Sequence, residues 1–251
     1  MTPMSEESAR PVCPVCDVAE STFYKDWKGM RLYACGGCGT VYMFPMPTVE
    51  DVEALYADAY GGATEGYFSK VDKKMKRSRG RMRSLKKLVT GRRFLDVGSN
   101  GGFMAEAARE AGFEATGVEI DPVSVAYARA NYPANAFFCG PVEDFMSEAH
   151  EGFDLIYSSE VIEHVFDPNA FVGAIARLLH PGGVFFVTTP DISHWRRPKN
   201  VEDWDAFCPP SHCLYFNPGS LAGLLERHGL VVEGKKWAFK PGIKMWARKP
   251  A

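Results

Sequence analysis

Phe94-Leu95-Asp96-Val97-Gly98-Ser99-Asn100-Gly101-Gly102-Phe103 runs an apolar stretch into a glycine-dense turn, and an alanine-rich helical segment follows. The order reads strand, tight loop, helix. Glycine suits that loop because the backbone must turn sharply and then lie against a ligand with no Cβ in the way. Gly117-Val118-Glu119 ends the next apolar run, and Glu119 falls 21 residues beyond Gly98. The second parallel strand of a βαβ unit ends at about that distance, and an acid there accepts hydrogen bonds from a ribose diol. The combination points to a nucleoside cofactor. A dehydrogenase loop would read G-x-G-x-x-G and face a diphosphate. Here the pattern is Asp96-x-Gly98-x-Asn100-x-Gly102, and an acid facing the loop suits a cationic amine better. Asparagine is the next residue after glycine to tolerate left-handed backbone, so Asn100 preserves the loop shape.

The loop resembles motif I of the class I S-adenosylmethionine-dependent methyltransferases. Two further stretches carry the same resemblance. Residues 153–165, FDLIYSSEVIEHV, are similar to the family's fourth strand and following turn, and residues 178–187, LLHPGGVFFV, to its helix end, glycine turn and fifth strand. The resemblance implies an α/β fold with a seven-stranded, mostly parallel Rossmann-like sheet between helical layers. Strands are expected at 93–97, 115–119, 136–139, 155–157 and 184–188, with an antiparallel pair at 231–239 and 243–247. Helices are expected at 102–111, 122–131, 142–149, 168–179 and 218–228. It also implies roles. Asp96 faces the cofactor's ammonium group; Gly98, Asn100 and Gly102 let the backbone approach its methionine part. Glu119 binds the ribose hydroxyls, with Ile120 beside it. In the adenine position Pro141 replaces the usual acid, leaving Val142 and Glu143. Ser159 and Glu160, with Ser158, line the cavity near the methyl.

Cys13-Pro14-Val15-Cys16 and Cys35-Gly36-Gly37-Cys38 are two C-x-x-C knuckles separated by 18 residues. Four thiolates at this spacing close a tetrahedral Zn²⁺ site with no open position, which is a structural site. A hairpin is expected between them, with strands 22–27 and 30–34 turning at Lys28-Gly29. This is a zinc ribbon, expected over residues 10–45. Residues 46–90 read as linker and helical lead-in, with Thr48 capping a helix to Tyr56 and Asp51 in the capping-box position. Residues 91–251 read as the methyltransferase domain. Within the lead-in, apolar residues recur at helical spacing over 67–89, and residues 70–93 hold twelve Lys/Arg against one acid, Asp72. That surface is either a solvated face or a dock for an anionic acceptor such as RNA.

The chain has 251 residues, 46% hydrophobic, with net charge −2. It has no apolar stretch of membrane-spanning length and an acidic, polar start without a signal-peptide core. The odd cysteine count and metal spacing favour a reducing, cytoplasmic setting.

Methyl transfer from a sulfonium needs alignment, exclusion of water and removal of the nucleophile's proton. Candidate bases are His164 after the fourth strand, and Asp191, His194 and His212 in the long segment after the fifth. Glu160-x-x-Glu163-His164 with His212 also resembles the pattern by which ubiquinone-biosynthesis O-methyltransferases and small-RNA 2′-O-methyltransferases hold a divalent ion. By that resemblance Glu160, Glu163, His164 and His212 are candidate ligands for Mg²⁺. The metal-free version is preferred at this point, because the motif recurs in enzymes that need no ion. The favoured function is O-methylation of a small-molecule hydroxyl on a sugar, phenol or secondary metabolite. An RNA methyltransferase and a non-catalytic cofactor sensor are the alternatives.

Overall fold

The structure is a computed structural model that describes residues 11–48, 70–148 and 152–251. The helix expected from Thr48 to Tyr56 and the first residues of the basic helix fall outside them. The central sheet is built from β4 (Arg93–Val97), β5 (Glu114–Glu119), β6 (Ala136–Cys139), β7 (Phe153–Ser159), β8 (Leu179–Thr189), β10 (Val231–Lys235) and β11 (Ile243–Arg248). Its order is β10-β11-β8-β7-β4-β5-β6. The five strands from β8 to β6 pair in parallel, and β11 runs antiparallel to both β8 and β10. The expected sheet is the observed one, except that β10 stops at Lys235 and leaves Trp237 and Phe239 exposed in the connection to β11.

Helices cover both faces. Alternate residues of a strand point to opposite sides, and the pairs Phe94/Leu95, Leu155/Ile156 and Phe186/Phe185 divide accordingly. Phe94, Leu155 and Phe186 pack under α1 (Val71–Leu85), α2 (Phe103–Glu110) and α3 (Pro122–Asn131). Leu95, Ile156 and Phe185 pack under α5 (Pro168–Leu178) and α6 (Pro218–Arg227), with Val142 of α4 (Val142–Glu148). Three of these helices start alike, at Asp121-Pro122, Asp167-Pro168 and Asn217-Pro218. In each, the acid or amide side chain accepts from the first-turn backbone, and proline follows at N1 or N2. Proline's missing N–H costs nothing there.

The N-terminal hairpin forms as expected, with β1 (Ser21–Trp27) and β2 (Met30–Cys35) joined through Lys28-Gly29. Two features extend it. A short β3 (Val41–Met43) pairs with β2, and β9 (Leu214–Tyr215), from the segment after β8, pairs with β3 to make a four-stranded sheet. Leu32 and Val41 then share a small core with Ile192, Val201, Trp204, Phe207 and Tyr215. The long segment after β8 is therefore held as the fourth strand and apolar backing of the ribbon's sheet.

Candidate active site

The candidate cofactor residues lie on loops at the carboxyl ends of β4, β5 and β6. Gly98, Asn100 and Gly102 all adopt positive φ, at 76°, 47° and 78°, so asparagine does take the left-handed place of the family's middle glycine. A Cβ on Gly98 would lie 2.3 Å from Val161 Cγ2, which is why the loop and the turn after β7 can touch. The Glu119 carboxylate organises the loop: the Asn100 amide donates to Oε2 at 2.8 Å and the Asp121 amide to Oε1 at 3.0 Å. Each carboxylate oxygen has a second lone pair, so a diol can still be bound. Ile120 is exposed beside it and offers an apolar face.

Asp96 is 2% exposed. Burial first, and then the charge of Glu119, push its carboxyl up to about 8, against the pull of Arg81 and the Ala105 amide. Such an acid ionises readily only when a cation is placed against it. Arg81 was not foreseen. It leaves the basic helix α1, donates to the Tyr157 hydroxyl and to Ser159 Oγ (3.3 Å), and lies over the Tyr157 ring. Its charge acts on Asp96 and Glu160. An ammonium–carboxylate zwitterion meets complementary groups in Asp96 and Arg81. The signal was available: Arg81 stands four residues before the buried Leu85, on the helix's inward face.

Val142 is buried at the start of α4, and its role toward adenine depends on its backbone. The Glu143 side chain lines a cleft of about 580 Å³ with Met146, Asn169 and His228, between α4 and α5. Burial raises its pKa.

The candidate acceptor residues lie at and around the short turn Ile162–His164 after β7. Glu163, His164 and His212 each bring one ligand atom to within 4.8 Å of the others, and the two imidazole rings meet edge-on at 4.5 Å. Both Nδ1 atoms bond backbone carbonyls, His164 to Ser211 (2.6 Å) and His212 to Ala206 (2.8 Å). With Nδ1–H donating, each Nε2 lone pair is free to accept. Burial lowers both histidines; His212, which also feels His164, falls to about 4. Glu163 is fully buried, and its Oε2 accepts from Thr189 at 2.9 Å while Oε1 has no hydrogen-bond partner among the described residues. Burial and the Glu160 charge raise Glu163 to about 8.

Glu160 does not join this group. Its φ is 57°, and its Oε1 accepts from Thr188, whose hydroxyl also meets Ser159. The convergence expected of residues three and four apart requires a helical turn that includes both, and the turn begins only at Ile162. His194 also stands apart: Nε2 bonds the Ala238 carbonyl and Nδ1 accepts from the Arg196 amide. Asp191 accepts from Ser193 at one oxygen.

At the N-terminus the four thiols Cys13, Cys16, Cys35 and Cys38 also lie within 4.8 Å of one another. Cys13 and Cys38 are 3.7 Å apart and Cys16 and Cys35 3.4 Å. Tetrahedral Zn–S bonds of about 2.3 Å imply sulfur separations of about 3.8 Å, so the donors fit such an ion. Cys38 is lowered to about 4, chiefly by the Cys13 thiol donating to it.

This fold and its cofactor side define a class I S-adenosylmethionine-dependent methyltransferase. The profile of a methyltransferase-domain family matches residues 67–234, and the chain belongs to that family. It is 32% identical over 188 residues to a ubiquinone biosynthesis O-methyltransferase of Paramagnetospirillum magneticum, covering 66% of this chain and 71% of that one. A protein of the same name from Bordetella avium is 36% identical over 116 residues, covering 45% of this chain and 46% of its own length. Among solved structures, the 1,6-didemethyltoxoflavin-N1-methyltransferase of Burkholderia thailandensis, with bound S-adenosylhomocysteine, matches with a TM-score of 0.60. The match covers 92% of this chain and 100% of that one at 18% identity. That likeness shows the fold alone.

Proposed function

We propose that the enzyme transfers the methyl of S-adenosylmethionine to a hydroxyl oxygen of a small acceptor, and that the oxygen is received at Glu163, His164 and His212. The observation that carries this reading is the pair of imidazoles held by backbone carbonyls at Nδ1, beside a buried carboxylate oxygen without a partner among the described residues. The names of the relatives, O-methyltransferases of ubiquinone biosynthesis, support an oxygen acceptor on a small molecule.

In this mechanism Asp96 and Arg81 hold the ammonium and carboxylate of the cofactor, and Glu119 holds its ribose. The turn after β7 touches the Gly98 loop through Val161, which sets the acceptor groups next to the methionine part. The C–O bond forms as the C–S bond breaks in line, the proton of the acceptor hydroxyl passes to water, and S-adenosylhomocysteine leaves. A free imidazole lowered to about 4 is a weak base at neutral pH, so His212 serves better as a neutral ligand. Glu163, His164 and His212 have the donor set for a divalent ion, and two imidazoles suit Mn²⁺, Fe²⁺ or Zn²⁺ better than Mg²⁺. Such an ion, when bound, lowers the pKa of an acceptor hydroxyl. The Ser211 and Ala206 carbonyls fix the histidine tautomers for that task.

The N-terminal four-thiolate site is proposed to hold one structural Zn²⁺ per chain, and the ribbon, lead-in and catalytic regions to be bounded near residues 45 and 90. A docking role for the basic helix is not adopted, because three of the cations in this stretch already serve the fold or the site. Arg79 pairs with Glu110 at 2.6 Å, Lys86 donates to Ala111 O, and Arg81 enters the site.

The test is a screen of catechols, other phenols, sugars and total RNA with methyl-labelled cofactor, followed by mass spectrometry of the product. O-methylation of a small acceptor, lost with EDTA and restored by Mn²⁺, is expected. Transfer only to RNA, or to nitrogen or carbon, contradicts the reading.

A further inference from the structure

We infer that the ribbon's four-thiolate site is the anchor that positions the acceptor-side histidines, with Asn217 as the connecting residue, and that it leaves the cofactor side untouched. The inference rests on the proposed zinc and is independent of which acceptor is methylated.

A continuous set of backbone bonds runs from the knuckles to the histidines. The Cys35 amide donates to the Thr40 carbonyl, closing the second knuckle onto the start of β3. β3 pairs with β9, Val41 opposite Tyr215 and Tyr42 opposite Leu214. The Met43 amide donates to the Cys213 carbonyl at 2.9 Å, and the Cys213 amide donates to the Glu163 carbonyl at 3.0 Å. Cys213 is thus gripped between β3 and the catalytic turn, and His212 is its neighbour in the chain. A second path starts at the metal site itself. Asn217 Nδ2 donates to the Cys38 carbonyl at 2.9 Å, while its Oδ1 accepts from the Ser220 amide and caps α6. One side chain joins a knuckle to the end of the histidine-bearing segment. Residues 213–216 and Tyr42 are all at most 1% exposed, so β9 has no alternative partner in water.

Among the described residues the cofactor loops meet this path by the packing of Gly98 against Val161 rather than by a chain of backbone bonds. Their bonds run among β4, β5 and the Glu119 carboxylate. A small cysteine ribbon depends on its metal for its fold. Loss of the ion should therefore release β3, then β9, then the His164–His212 contact, with the Gly98 loop intact.

The experiment uses the full chain, first washed with EDTA so that only the four-thiolate zinc remains, counted by elemental analysis. That sample is compared with protein stripped by a thiolate-competing chelator and with zinc-loaded Asn217→Ala. The readouts are hydrogen exchange, the carbethoxylation rate of His212 and titration with S-adenosylhomocysteine. Stripping should speed exchange at least tenfold at 162–165 and 212–217 and expose His212 to modification. Exchange at 94–119 and cofactor affinity should stay within twofold. Asn217→Ala should keep its zinc and show a smaller rise at 212–220. Faster exchange confined to 11–43, or spread evenly over the chain, overturns the inference. So does protein that carries no zinc when purified without chelators. None of these readouts needs an acceptor, so a failure of the O-methylation reading remains distinguishable.

Discussion

The two groups of candidate site residues, for cofactor and for acceptor, are assembled over different distances in the chain. On the cofactor side the Asn100 amide reaches Glu119 only 19 positions away, and strand, loop, strand and acid form one βαβ unit. On the acceptor side His164 is held by Ser211, 47 positions away, and the segment carrying Ser211 is tied by Asn217 to Cys38, 179 positions away. The loop and ribose acid of the first half preorganise locally, although Arg81 joins them from α1 through Tyr157 and Ser159, 76 and 78 positions away. The second exists only once the ribbon, the turn after β7 and the segment after β8 have met. A perturbation of either half should therefore leave the other measurable.

His212→Ala should produce the largest separation. Turnover is expected to fall by about 10²–10⁴-fold, the usual worth of a positioned proton-handling or ligand group, with S-adenosylhomocysteine affinity unchanged by calorimetry. Weaker cofactor binding in this variant would mean that the halves are not independent. Glu119→Ala makes the opposite cut. It removes charge-assisted bonds to the ribose worth about 1.5–3 kcal/mol, and it also frees the Asn100 and Asp121 amides. Cofactor affinity should fall accordingly, while exchange at 212–217 stays as in the parent.

Asp96 sharpens the comparison through pH. Its carboxyl sits at about 8 in the cofactor-free fold and must ionise to meet an ammonium group. Affinity for S-adenosylhomocysteine should rise with pH up to about 8, approaching tenfold per unit, and then level. Calorimetry in buffers of different ionisation heat should show a proton released on binding at pH 7. For stability the sign reverses. An acid whose folded pKa is raised favours the protonated fold, so cofactor-free stability declines as pH climbs from about 4 towards 8. Asp96→Asn should make that decline shallower, leaving the share of Glu163, whose carboxyl is raised to the same range, and should weaken the cofactor. The smallest effect is expected from Lys73→Glu and Arg77→Glu on the exposed face of α1. Turnover of a small neutral acceptor should change less than twofold, and a larger loss would revive the docking reading of that helix.

The same difference in range explains what could be read from the chain. Asp96, Gly98, Asn100 and Glu119 announce themselves because spacing within one βαβ unit is a local property. The knuckles are equally plain, since C-x-x-C spacing is set by the ion. β3 and β9 carry no such signal: two or three apolar residues gain a partner only through tertiary pairing. The division of Glu160 from Glu163 turns on a single positive φ, and helical spacing alone places them together. Arg81 was hidden by its neighbours, one cation among twelve in residues 70–93. His194 shares its residue type with the catalytic candidates, and only the structure shows both its nitrogens engaged.

The central claim is that an acceptor oxygen is received at Glu163, His164 and His212. A crystal structure with S-adenosylhomocysteine and a bound catechol tests it most directly. The expected result is a catechol oxygen facing the cofactor sulfur, with Nε2 of His164 and His212 directed at one divalent ion beside that oxygen. A catechol seated elsewhere in the cleft, with both Nε2 atoms turned from it and no ion between them, would contradict the account.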